Sequence, residues 1–154
     1  MNLIFDTNIL VCLVRAVDIN AILQFLNPQN NFIYISVVSE AEVKSLALQN
    51  RWGINRQDVL NHFLNQVTIL DVNQINVNIS TQIDAYSQIK NPNFLNYPFD
   101  TPRNMGKNDL WIASLAALLG LQLVTTDSDF DHLDRIFFDV RKIDPREFLP
   151  FLKK

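Results

Sequence analysis

Short apolar runs alternate with amphipathic stretches along most of this chain, and that alternation predicts its elements before any side chain is given a role. Residues 3–5, 32–35, 67–70 and 121–125 are rich in Ile, Val, Leu and Phe and bounded by polar positions, as buried strands are. Residues 137–140 make a weaker fifth run. Between these runs, apolar positions recur at helical spacing over 8–16, 19–27, 37–50, 56–66, 74–89 and 107–119. Strands alternating with helices predict an α/β fold: a parallel central sheet of four to five strands with helices on both faces. Asp144-Pro145-Arg146-Glu147 supplies a cap, a proline at the first helical position and an acidic first turn, so a short final helix should follow. One stretch resists the pattern: KNPNFLNYPFDTPRNMGKN, residues 90–108, with three prolines and aromatics of no helical period. It predicts a long ordered loop, and loops of such length in a compact domain are usually functional or disordered.

The 154 residues read as a single domain, 1–154. A chain of that size buries roughly 70% of its unfolded surface, enough for a core without staples. Its one cysteine, Cys12, excludes an internal disulfide and points to a reducing compartment. Asp6 breaks the N-terminal apolar run too early for a secretory signal. The longest apolar stretch, 112–124, is too short for a bilayer, which needs about 20 residues. A soluble, cytoplasmic protein with no membrane association is the expectation. Net charge of −3 argues against a nucleic-acid coat protein, but not against an enzyme acting on nucleic acid, because local patches steer association.

Four carboxylates then change the picture. In an open parallel sheet, ligands bind beyond the carboxyl ends of the strands. Asp6 ends the first predicted strand and Asp127 follows the run LQLVTT, so neighbouring strands would bring both to one edge. Each also has a plain explanation, Asp6 as a helix cap and Asp127-Ser128-Asp129 as a turn. Glu42 shares a helical stripe with Val38 and Leu46, interrupting an apolar row that should face inward. Glu40, ~200° away around the helix, should face solvent. A carboxylate on a buried stripe must neutralise, pair with an arginine or bind a cation. Asp109 opens a helix apolar almost all round, stacked with Ala113 and Ala116, where the helix dipole should keep it ionised. A convergent set of acids suits an oxygen-ligated divalent ion, which relieves their mutual repulsion and can activate water at a phosphodiester.

The residues that carry this chemistry stand in four motifs: FDTNIL, SVVSEAEV, KNDLWIASLA and LVTTDSDF. In that order and at those intervals they resemble PIN-domain ribonucleases, most closely the VapC-type toxins of toxin–antitoxin pairs, over residues 3 to about 130. The resemblance implies a Rossmann-like sheet and an endoribonuclease dependent on Mg2+ or Mn2+. By motif the catalytic and metal-holding residues are Asp6, Glu42, Asp109 and Asp127, with Asp6 and Asp109 the principal metal positions. Asn8 is implied to support the site by hydrogen bonding, and Asp129 to touch the metal shell through water or to be a turn residue. An RNA substrate, a small antitoxin whose C-terminal segment occupies the toxin's groove, and a homodimer are the implied partners. The 90–108 loop is longer and richer in proline and aromatics than compact members of that family carry.

Among the remaining residues, Arg103 and Lys107 stand just before Asp109 and are candidate RNA-phosphate contacts, with Tyr97 or Phe99 available for base stacking. Arg15, Lys44 and Arg51 are further cations. His62 and His132 fall outside the acidic motifs and read as surface or hydrogen-bonded residues; Cys12 reads as a packed small hydrophobe. Gly53, Gly106 and Gly120 are scattered, so no phosphate loop exists. A haloacid-dehalogenase-like phosphatase wants a second acid two residues after the first, where this chain has Asn8. A non-catalytic PIN-like module that binds RNA or protein is the other alternative.

Overall fold

A computed structural model describes residues 1–153. Five parallel strands form one sheet in the order β3-β2-β1-β4-β5: β1 Leu3–Phe5, β2 Ile33–Ser36, β3 Thr68–Leu70, β4 Gln122–Thr125 and β5 Val140–Lys142. Phe5 lies level with Ile35 on one side and Val124 on the other. The helices are α1 Thr7–Val14, α2 Ile19–Leu26, α3 Val37–Gln49, α4 Ile54–Gln66, α5 Asn76–Ser87 and α6 Lys107–Leu119.

Side-chain alternation divides the core between the two faces of the sheet. Leu3, Phe5, Ile35 and Val124 pack against α1 to α4, with Phe148 from the C-terminal 3-10 helix Pro145–Phe151 closing that side. Ile4 and Leu123 pack against α5 and α6, with Phe130 and Phe138. The expected layers, helices on both faces, are present. Short β1 is buried throughout because it is the central strand with neighbours on both edges.

Two expectations about elements are corrected. The fifth strand lies at Val140–Lys142 rather than 137–140. Phe138 is instead tucked into the α5/α6 core, and Phe137 packs 5.4 Å from Tyr86, centroid to centroid. Both aromatics serve as plugs in a turn that Arg135 N–H closes onto the Phe138 carbonyl at 2.8 Å. The apolar run had side chains the core needed more than the sheet did. Second, α6 is buried at Ile112–Ala116, but its last turn exposes Leu118 and Leu119. The short final helix is present as its sequence predicts, wound as a 3-10 helix over Pro145–Phe151 and opened by a reciprocal Asp144/Glu147 capping box.

The stretch between α5 and α6 is the ordered loop that its sequence predicts. Asn91 ties it down: its Nδ2 donates to the carbonyl and Oε1 of Gln82, each at 3.0 Å. Tyr97 Oη accepts from the Asn91 N–H at 3.0 Å and donates to the Asn91 carbonyl at 2.9 Å. Phe94, Tyr97 and Phe99 converge on the buried Tyr86 ring at centroid distances of 4.7, 5.0 and 5.5 Å. Tyr97 and Phe99 are therefore committed to the loop's own packing, and the expectation that they wait for RNA bases is corrected.

Candidate metal centre

The strand order sets the place. From β1 the chain steps outward to β2 and β3, then returns across β1 to β4 and β5, so a crevice opens at the carboxyl ends of β1 and β4. Asp6 follows β1 directly, its N–H donating to the Val124 carbonyl at 3.0 Å. Its Oδ1 accepts from the Thr7 N–H at 2.8 Å, capping α1, and its Oδ2 accepts the Thr125 hydroxyl at 2.7 Å. Thr125 Oγ1 in turn accepts the Asp127 N–H at 3.0 Å. One fully buried hydroxyl thus joins the carboxylate after β1 to the backbone after β4.

Asp127 caps the 3-10 helix Ser128–Leu133 by accepting the Asp129 N–H at 2.9 Å. The capping and turn readings of Asp6 and Asp127 are both correct, and both residues still face the crevice. Asn8 supports from below, its Oδ1 3.4 Å from the Thr126 N–H, a long hydrogen bond. Glu42 Oε1 accepts the Thr7 hydroxyl at 3.2 Å. The stripe argument for Glu42 needs correction: the buried row on α3 is Ser39, Val43 and Ala47, and Val38, Glu42 and Leu46 form its half-buried shoulder. That shoulder is what lets Glu42 look into a solvent-filled cleft. Glu40 is partly covered and paired with Lys44 at 3.1 Å, away from this group.

Asp109 does not cap α6; Gly106 does, without a side-chain bond, and Asp109 projects from the first turn. Asp6, Glu42, Asp109 and Asp127 line one open cleft of about 400 Å³. Within the group, one carboxylate oxygen each from Asp109, Asp127 and the exposed Asp129 lies within 4.8 Å of the others. Asp129 is accordingly nearer the centre of the cluster than its turn position alone implied.

Burial and crowded like charges both act on these carboxyls. Burial foremost, then the facing charges of Asp6, Asp127, Asp129 and Glu42, push the Asp109 carboxyl up to about 7. The expectation that the helix dipole keeps Asp109 ionised is corrected: four neighbouring acids and desolvation outweigh one helix end. Asp6 is also raised, chiefly by burial, against the lowering effect of its bonds from Thr125 and Thr7. An all-oxygen donor set with this spacing and this unrelieved repulsion fits a hard divalent cation.

Arg103 and Lys107 are exposed and stand outside the cleft wall. The Arg103 backbone donates to the Ser87 carbonyl at 2.8 Å, and its guanidinium carbon lies 5.9 Å from the Phe99 ring centroid. Burial and then the Asp127 charge raise the Asp129 carboxyl, and the Arg103 charge opposes that rise only in part. His132 is hydrogen-bonded as expected, its Nε2 2.7 Å from the Ser87 hydroxyl, and His62 is on the surface near Gln66. Cys12 packs half-buried beside the first core, as expected, and also reaches the cleft. Sequence reasoning missed Thr7, Thr125 and Thr126. A hydroxyl at the last position of a strand, two residues before an acid, is the signal that could have found Thr125.

A family model described as PIN domain matches residues 3–136. Among solved structures, the chain is similar to VapBC2 from Rickettsia felis, bound to a promoter DNA fragment, with 23% identity, a TM-score of 0.71, and coverage of 94% of this chain and 100% of that one. It is similar to VapBC-1 from nontypeable Haemophilus influenzae at 21% identity and a TM-score of 0.66, covering 92% and 98%. FitAcB from Neisseria gonorrhoeae matches at 21% identity and 0.64, covering 91% and 96%. Among curated protein sequences, none matches.

Proposed function

The chain belongs to the PIN-domain family, and from that premise we propose that it is a divalent-metal-dependent endoribonuclease, the VapC-type toxin of a toxin–antitoxin pair. The observation that carries the reading is the convergence of Asp6, Glu42, Asp109 and Asp127 on one cleft at the β1/β4 crevice. Asp109, Asp127 and Asp129 would hold Mg2+ or Mn2+, with Asp6 beside them. The ion, when bound, would lower the pKa of a water and neutralise charge at the phosphodiester. Thr125 and Thr7 fix the Asp6 carboxylate so that its free lone pairs face the cleft. Glu42, steadied by the Thr7 hydroxyl, is placed to accept a proton from the attacking water.

Arg103 and Lys107 serve as phosphate contacts at the rim in this reading, and Asn8 keeps the turn after β4 in place. A small antitoxin is the protein partner. The fold likeness to toxin–antitoxin complexes supports it, and the groove between α3 and α4, lined by Ala47, Leu60 and the exposed Leu48, offers it an apolar seat beside Lys44. A homodimer is the assembly. The start of α5 meets α6 where Asn76 bonds Ser114 at 3.0 Å, and these two elements carry the exposed apolar residues Ile75, Val77, Leu118 and Leu119; sedimentation of a purely monomeric protein would contradict it. Among the described residues no helix is long and apolar enough to cross a membrane.

Calorimetric titration with Mn2+ tests the reading. Wild type should bind, Asp109→Asn should bind at least tenfold more weakly, since losing even a hydrogen-bond partner behind a ligand costs roughly 10- to 100-fold, and no binding by wild type contradicts the metal site. Replacing Arg103 and Lys107 by alanine should lower the salt dependence of RNA binding by about two phosphate contacts; an unchanged slope removes them from the interface.

A further inference from the structure

The cleft that gathers the acids has a second wall of opposite character, formed by Val11, Cys12 and Leu46, all half-buried. Its origin is helical spacing. On α1, Asn8 and Cys12 are four residues apart, and on α3 so are Glu42 and Leu46. Each helix therefore presents a polar group beside the carboxylates and an apolar one a turn further along, about 5.4 Å away. The three apolar side chains abut the core that Leu10, Leu13 and Val43 build beneath them, yet they keep a face open to the cleft. Glu42 borders that wall, and the Arg15 charge is near enough to act on the Cys12 thiol.

A nucleotide has the same division: a phosphate joined through one sugar to a base whose faces are apolar. We propose that Val11, Cys12 and Leu46 form a nucleobase shelf, on which the base adjoining the scissile phosphate lies while its phosphate rests at the carboxylate cluster. The shelf rests on the nuclease reading given above and adds its specificity element. It offers contact area rather than hydrogen-bond donors and acceptors, so it reads the face of a base and not its edge. It discriminates by size, favouring a purine over a pyrimidine and either over an abasic sugar. The base contact that Tyr97 and Phe99, committed to the second core, do not provide is thereby supplied by aliphatic side chains packed on the first.

Cys12 is the one cysteine of the chain and sits on the shelf, so it reports occupancy directly. The wild-type protein in Mg2+ is alkylated with a thiol reagent in the presence of adenosine 5′-monophosphate, uridine 5′-monophosphate or ribose 5-phosphate, none of which has a phosphodiester to cut. The adenine nucleotide should protect Cys12 at a concentration roughly fivefold below that required of ribose 5-phosphate, no more than the low end of what an aromatic platform gives a base, with uridine 5′-monophosphate between them. Equal protection by ribose 5-phosphate, or none by either nucleotide, overturns the shelf. In parallel, wild type and Leu46→Asn digest a random-sequence RNA pool and the cut sites are sequenced; a purine preference beside the cut that Leu46→Asn loses supports the shelf, and identical preferences overturn it. Cleavage without Cys12 protection leaves the nuclease standing and the shelf wrong. Protection by nucleotides without cleavage in any divalent metal leaves the shelf standing as a nucleotide site and the nuclease wrong.

Discussion

At Asp109, burial and four facing acids lift a carboxyl from 3.8 to about 7, and the shift has a sign that stability can report. Between about pH 4 and 7 the folded protein keeps a proton the unfolded chain has lost, so the Asp109 contribution falls as pH rises through that window. His132 acts oppositely. Burial, then the Arg103 charge, lowers it from 6.5 to about 4, so its contribution is present above 6.5 and falls as pH drops towards 4. The two slopes oppose each other below pH 6.5. In chelator, Asp109→Asn removes the first and leaves the second: thermal scans of the variant should show a melting temperature that rises more steeply from pH 4.5 to 6.5 and exceeds wild type above pH 7. Superimposable profiles would mean that Asp109 is not under strain from its neighbours. The sequence made Asp109 visible through its helix, but not its charge state. That state depends on Asp6, Glu42 and Asp127, which are distant along the chain and near only in the fold.

Elements followed their local patterns where burial and pattern agreed, as in β1 and α6, whose bounds match the periodicity. They departed where tertiary packing had a competing use for an apolar side chain. Phe137 and Phe138 looked like strand residues and became plugs over Tyr86 and the α5/α6 core, which moved β5 to Val140. Local rules also hide the end of α5. Ile89 has φ of 60°, left-handed backbone that a β-branched residue adopts at a cost, yet its N–H bonds the Tyr86 carbonyl at 3.0 Å and Lys90 N–H bonds Ala85 at 2.9 Å. These bonds turn the chain out of α5 and launch the aromatic loop. Ile89→Gly should raise stability by about 1 kcal/mol, measured by urea unfolding, because relief of the left-handed conformation outweighs the glycine's extra unfolded-state freedom. Loss of stability would show that the Ile89 side chain holds the loop more than its backbone strains it.

Across the whole molecule, the strand order does the gathering. Asp6 and Asp127 were legible as acids at strand ends, and parallel pairing of β1 with β4 makes them neighbours. Glu42 was identified by its stripe, though it lies on the shoulder of α3 rather than on its buried row, and that shoulder is what gives it access to the cleft. The weight of Asp129 in the cluster, the Thr125 link and the apolar wall were not legible, since each exists only once β1, β4, α1 and α3 are packed together. The central claim is that this crevice cuts RNA with a divalent ion. The most direct test is digestion of a total small-RNA preparation by purified protein, with Mg2+ or Mn2+ and with chelator, beside Asp6→Ala. Discrete products from wild type that require the metal and vanish in Asp6→Ala are the predicted result; products that persist in chelator or in the variant, or wild type that cuts nothing with either metal, would contradict it.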